Sequence, residues 1–120
     1  MSEGTPWPTD IAVKRAERRI DVSFDDGRRF SLPAELLRVE SPSAEVQGHG
    51  ADPKQIVAGK RNVGIAGVEP VGNYAVRISF DDGHDTGLYS WSYLYDLGRR
   101  QEAVWQAYLD ALASHGLSRD

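Results

Sequence analysis

Cysteine is absent from this 120-residue chain. Its absence removes disulfides, thiolate metal ligands, cysteine-held iron–sulfur clusters and a cysteine nucleophile. No apolar run approaches the ~20 residues needed to span a bilayer. Met1 to Asp10 also lacks the charged start and apolar stretch of a secretion signal, so the expectation is a cytoplasmic domain without a membrane partner. A basic excess is missing too. The 14 basic and 18 acidic residues leave a formal charge of −4, which argues against general phosphate-backbone binding, and nucleic acid is not an expected partner.

What remains is a globular balance of 40% hydrophobic and 27% charged residues, read as a single domain over 1–120 with its core over about 10–113. Pro6 and Pro8 around Trp7 make an extended lead-in. Ile11 and Val13, then Ile20, Val22 and Phe24, alternate with polar residues at the period of half-buried strands. Asp25-Asp26-Gly27 supplies a turn, since aspartates bond nearby backbone and glycine tolerates positive φ. Phe30 and Leu32 form the returning strand. Pro33 then opens one or two helical turns over Ala34 to Arg38.

The unit recurs. Ser23-Phe24-Asp25-Asp26-Gly27 reappears as Ser79-Phe80-Asp81-Asp82-Gly83, preceded by Tyr74, Val76, Ile78 and Phe80 in strict alternation and followed by Leu88 on a return strand. The two copies are expected to share one antiparallel sheet. Asn62 to Val71 reads as a further strand, in which Gly64 and Gly67 suggest bulges or close backbone approach. Val39 to Arg61 shows little periodicity and is read as a long surface loop, the first candidate for a binding surface. Trp91 to Leu97 and Gln101 to Ser114 read as helical, with a break or kink at Gly98. Val104, Trp105, Tyr108, Leu109 and Leu112 form an apolar stripe expected to pack on the sheet, and Gly116 fits the terminal cap.

Catalytic motifs fail one by one. Neither aspartate pair continues into a 12-residue EF-hand loop, and adjacent aspartates in a turn do not by themselves face one substrate. His49 is followed by Gly50 and Ala51, and His84 by Asp85 and Thr86, so neither gives the His-x-Asp step of a non-haem iron oxygenase. His49, His84 and His115 share no helix face. Gly59-Lys60-Arg61 lacks both the upstream glycine and the hydroxyl residue of a phosphate loop. Ser43 and Ser90 have no visible base.

The runs Leu37 to Val46, Asn62 to Gly67, and Asp81-Asp82-Gly83-His84 with Tyr89 and Trp91 resemble the γ-butyrobetaine-hydroxylase-like N-terminal domain family over about Ile11 to Leu97. Stand-alone bacterial members of that family have unknown function. Similar domains precede the catalytic jelly roll of γ-butyrobetaine and trimethyllysine hydroxylases or are fused to P-loop iron–sulfur scaffold proteins. In the hydroxylases the domain holds a structural zinc through a Cys-x-Cys-x-x-Cys loop and one histidine. The resemblance places those ligands at Ser41, Ser43, Val46 and His84. Three of the four positions cannot supply the family's ligand, so the zinc site is expected to be degenerate and no cofactor is expected.

Together these features imply an α+β fold: a small antiparallel sheet from two DDG hairpins, a short helix after each, and a C-terminal helix. They point to a non-catalytic interaction or accessory module with an unknown protein partner, linked by the resemblance to iron–sulfur or oxygenase systems. The expected binding residues are Ser41, Ser43, His49, His84, Tyr89 and Trp91. The alternative is a metal- or small-ligand-binding protein using His84 and neighbouring polar residues. Open sheet edges also leave a homodimer as an option.

Overall fold

The computed structural model describes residues 6–48 and 53–120. The α+β architecture is as expected, but the two hairpins do not join one sheet. β1 (Pro8–Lys14), β2 (Arg19–Phe24) and β3 (Arg29–Pro33) form one antiparallel meander in the order β1-β2-β3. β4 (Ile65–Val71), β5 (Ala75–Phe80) and β6 (Gly87–Ser90) form a second in the order β4-β5-β6. Each meander runs into a helix, α1 (Ala34–Val39) in the first half and α3 (Trp91–Arg99) in the second. The separation is physical: a three-stranded meander already pairs its central strand on both sides, so hydrogen bonding does not require the hairpins to meet. They meet through side chains instead.

The halves repeat in register as well as in order. Ile20 pairs with Leu32 in the first, and Val76 with Tyr89 in the second. The first strand of each bulges at the same place, between Pro8 and Asp10 opposite Phe24 and between Ile65 and Gly67 opposite Phe80. The bulge expected around Gly67 is therefore present. Both aspartate turns close alike: the Phe24 N–H donates to Arg28 O at 2.8 Å and the Phe80 N–H to His84 O at 2.9 Å. Gly27 and Gly83 have φ of 88° and 92°, which β-carbon-bearing residues adopt only with strain.

Alternation along β2 and β5 sends Ile20, Val22 and Phe24 from one sheet, and Val76, Ile78 and Phe80 from the other, into a single core. Leu36 and Leu37 of α1 and Leu94 and Leu97 of α3 complete it. Each such side chain contributes about 1.5–3 kcal/mol by leaving water. α4 (Gln101–Ser114) lies outside this core. Its stripe does not cover a sheet as expected. Tyr108 and Leu112 bury against Val39 and the segment Ile56, Val57 and Ala58, while Val104 and Trp105 reach only the margin of the main core. α1, α3 and the two sheets already fill one another's apolar faces, which leaves α4 the end of α1 and the coil beside it. Gly116, at φ 65°, ends α4 as expected: the Leu117 N–H donates to Leu112 O at 2.9 Å.

Two local readings change. The stretch after Val39 is not structureless, since α2 (Ala44–Gln47) forms there, capped by Ser43 Oγ accepting the Glu45 N–H at 3.1 Å. Gly98 does not break the helix. It lies inside α3, where an added Cβ would stand 2.3 Å from Cγ of Phe30, and the junction falls at Arg100. Gly98 is thus glycine because the Phe30 ring is laid against the helix backbone. Gly98→Ala should therefore destabilise the protein by about 1–3 kcal/mol through overpacking, against the ~1 kcal/mol that alanine gains over glycine in a helix. Denaturant unfolding checks this, and adding Phe30→Leu should return part of the loss.

Candidate functional site

The two halves differ where β3 or β6 passes the helix of the other half. Phe30 and Gly87 occupy the same register position, opposite Val22 and Ile78. Counted from the start of α1 and α3, Ser41 and Gly98 are likewise equivalent. In the first half the position is filled by an aromatic plug. Phe24, Phe30 and Tyr95 pack edge to face with centroids 5.1–5.9 Å apart, and Phe30 lies on Gly98. In the second half the glycine is on the strand. A Cβ on Gly87 would come 2.6 Å from Ser41 Oγ, so Ser41 takes the room that the ring takes in its counterpart.

Around Ser41 a polar chain is assembled from the α1–α2 segment and the second aspartate turn. Ser41 is fully buried, and Ser43 and His84 are nearly so. Ser41 Oγ donates to His84 Nε2 at 2.9 Å and accepts the Ser43 N–H at 3.2 Å. The other ring nitrogen, Nδ1, lies 3.1 Å from Glu45 Oε1. A carboxylate only accepts, which assigns the imidazole proton to Nδ1. Thr86 Oγ1 stands 3.0 Å from Ser43 Oγ and 3.1 Å from Glu45 Oε1, closing the circuit. Gln47 Nε2 donates to Ser41 O at 2.8 Å.

Beneath the chain lies a charged knot. Asp82 Oδ1 accepts the His84 N–H at 3.0 Å, while Oδ2 accepts Arg38 Nε at 2.7 Å and Lys60 Nζ at 2.6 Å. Burial opposes ionisation of Asp82, but Lys60, the His84 N–H and Arg38 outweigh it and hold the carboxyl at about 2. Arg38 Nη1 is buried without a hydrogen-bond partner among the described residues. His84 is pushed below its ordinary 6.5, first by burial and then by the Arg38 charge, against the opposing pull of Glu45, Asp82 and Asp85.

The structure thus brings Ser41, Ser43 and His84 together and sets Val46 as a buried residue of α2 beside them. It separates others. Tyr89 was expected on a binding surface but is fully buried, its hydroxyl donating to Leu37 O at 2.5 Å, because its strand position faces the core. Burial pushes its phenol far up. Trp91 is half-buried, its indole N–H donating to Asn73 O at 2.8 Å, and it packs against the core margin. His49 lies outside the described residues. Glu45 and Thr86 escaped the sequence reading, since neither stands in a motif and only the fold brings them to His84.

Two kinds of chemistry can be tested on this geometry. The zinc implied by the resemblance does not fit these residues. Val46 carries no donor, and the hydroxyls of Ser41 and Ser43 are neutral and already committed to His84, Thr86 and the cap of α2. Among the described residues no three His, Asp or Glu side chains gather as a metal-holding group. The order Ser41, His84, Glu45 copies that of a Ser-His-acid relay, but Ser41 is wholly covered, with Gly87 against its hydroxyl. Clefts of about 470 and 870 Å³ flank α4, and neither is lined by His84, Asp81 or Asp82.

The family described as Gamma-butyrobetaine hydroxylase-like, N-terminal, matches residues 11–95. The chain belongs to this family. Two solution NMR structures are similar along almost all of it. One is 50% identical with a TM-score of 0.85, covering 98% of this chain and 92% of that one. The other is 52% identical with a TM-score of 0.83, covering 99% and 89%. A crystal structure of a DUF971-family protein of unknown function from Acidithiobacillus ferrooxidans is 41% identical with a TM-score of 0.64, covering 76% and 91%. No curated protein matches the chain. The two solution structures thus cover the aspartate turns and helices of this gamma-butyrobetaine hydroxylase-like domain.

The state of His84 gives a pH test. Because its folded pKa lies below the unfolded value of 6.5, the unfolded chain takes up the proton first as pH falls, and stability declines below about 6.5 until the folded ring also titrates. His84→Gln should be less stable than the wild type at pH 8 and should lose that part of the decline. Urea midpoints from pH 8 to 5 measure both, and parallel profiles for the two proteins would show that His84 is not held neutral.

Proposed function

We propose that this domain is a non-catalytic protein-interaction or accessory module whose recognition surface is the polar face around His84. One observation carries the reading. The same place in the first half is filled by Phe30, Tyr95 and Gly98 with no buried polar side chain among them, so the fold does not require the Ser41–His84–Glu45–Thr86 circuit that occupies the second. Buried polar groups cost stability unless fully paired, and a paired network specifies one arrangement of the groups it carries. Here it fixes Glu45 and Thr86, both exposed, beside Asp85. Leu88, 44% exposed on the edge strand β6, continues the surface. An apolar residue beside polar groups on an unpaired strand edge suits an extended segment of another protein.

The relatives give the context. Domains of this family fused to oxygenase or iron–sulfur proteins make those systems the first place to look for a partner, an inference by analogy. Among the described residues no helix is long and apolar enough to cross a membrane. The enclosed position of Ser41 supports the non-catalytic reading, since a nucleophile must reach its substrate.

Purification of full-length protein from its own cell, beside an Asp85→Arg/Leu88→Glu variant, tests the proposal. The variant should melt with the wild type and lose the co-purifying partner by about tenfold or more, the range expected when a central apolar contact is removed. Retention of the partner by the variant would contradict the assigned surface. Stoichiometric zinc or iron in untagged protein, lost on His84→Ala, would replace the proposal with a metal-binding one.

A further inference from the structure

A second site lies away from His84, where the C-terminal tail crosses α1 and α4. Glu35, in the first turn of α1, has a side chain only 8% exposed. A buried carboxylate needs a cation and hydrogen-bond donors. Both come from Arg119, whose Nε donates to Oε2 at 2.8 Å and Nη2 to Oε1 at 2.6 Å, a two-pronged fit of guanidinium to carboxylate. The guanidinium carbon also stands 5.2 Å from the centre of the Trp105 ring. A carboxylate aligned with both prongs and an aromatic face above the cation are the parts of an arginine receptor.

The occupant is held from outside by modest ties. The tail meets the coil through Gly59 N–H to Ser118 O at 3.0 Å and Arg61 N–H to Arg119 O at 2.9 Å. The Arg61–Asp120 ion pair beside them has side chains 44% and 71% exposed and so contributes little. Arg119 itself is 31% exposed, so its pocket opens to water. It also opens sideways into a cleft of about 870 Å³ that Glu35, Leu36, Ala103, Trp105 and Arg119 help to line. That cleft has room for a chain segment leading to the pocket.

We propose that Glu35 and Trp105 form an arginine-binding pocket, filled in cis by Arg119 and open to an arginine from a partner segment lying in the adjoining cleft. Tethering gives Arg119 a high effective concentration, so the intact chain shields the pocket and an incoming arginine must displace the tail. The pocket shares no residue with the His84 surface, and either can fail without the other.

Full-length Arg119→Ala, which vacates the pocket, is titrated with N-acetyl-arginine amide and its lysine counterpart, and binding is read from the Trp105 indole resonance. The variant should bind the arginine probe saturably and at least about tenfold more tightly than the lysine probe, because only guanidinium matches both carboxylate oxygens. Its melting temperature should rise with the arginine probe. Wild-type protein should show no saturable shift, and Glu35→Gln added to Arg119→Ala should abolish the binding. If Arg119→Ala does not fold, Arg119→Lys, which keeps the charge but not the fork, takes its place under the same criteria. No saturable binding, equal response to the two probes, or binding that survives Glu35→Gln would overturn the proposal and leave Arg119 a structural clasp.

Discussion

Beyond the core they share, the two halves are fastened by a reciprocal contact made by the last aspartate of each turn. Asp26 accepts the Arg28 N–H at 2.9 Å with one oxygen and the Tyr95 hydroxyl at 2.6 Å with the other. Asp82 accepts the His84 N–H and, with its second oxygen, Arg38. Arg38 and Tyr95 are each the fifth residue of their helix, and each belongs to the opposite half. Every turn is thereby closed on itself and fastened to the helix of the other half by one carboxylate. The second aspartate of each copy therefore serves as a bracket, and in the later copy Asp81 also accepts the Gly64 N–H at 3.0 Å.

Given that frame, the two crossing points could have been built alike, and they were not. A ring against a helical glycine fills one. A serine, a histidine and their partners fill the other, at greater cost in desolvation and with every hydrogen bond needed to offset it. The relatives with thiolates expected at positions 41, 43 and 46 would fasten the same segment to the same histidine by metal. Here Ser41 fastens it by a hydrogen bond, and the glutamate one turn onward holds the far side of the ring. The segment is docked by these hydrogen bonds, with Glu45 and Thr86 at the edge of the imidazole.

Much of the framework was legible in residues. Alternation marked β2 and β5 because one face of each is buried, the aspartate–glycine turns marked their ends, and Gly116 marked the end of α4. The convergence of positions 41, 43 and 84 was legible only through family likeness, since 43 residues separate Ser41 from His84. One sheet was expected where two exist, because sequence repetition says that units are alike and not whether they pair through backbone or through side chains. α2 is four residues long and too short to show a period. Tyr89 read as an interface aromatic because its environment is set by the opposite half, and Gly98 read as a helix breaker because the ring that demands it stands 68 positions away in β3. Glu45, Thr86 and the Glu35–Arg119 pair carry no local pattern at all.

Transplanting the plug into the second half tests most directly whether the polar circuit serves recognition and not folding. Ser41→Gly, Gly87→Phe, Arg38→Tyr and His84→Arg together install the residues found at the equivalent positions of the first half. A cooperative transition within about 5 °C of the wild type, corresponding to roughly 1 kcal/mol, together with loss of the co-purifying partner, is the predicted result. Collapse of cooperative unfolding, or a folded variant that keeps its partner, would contradict it.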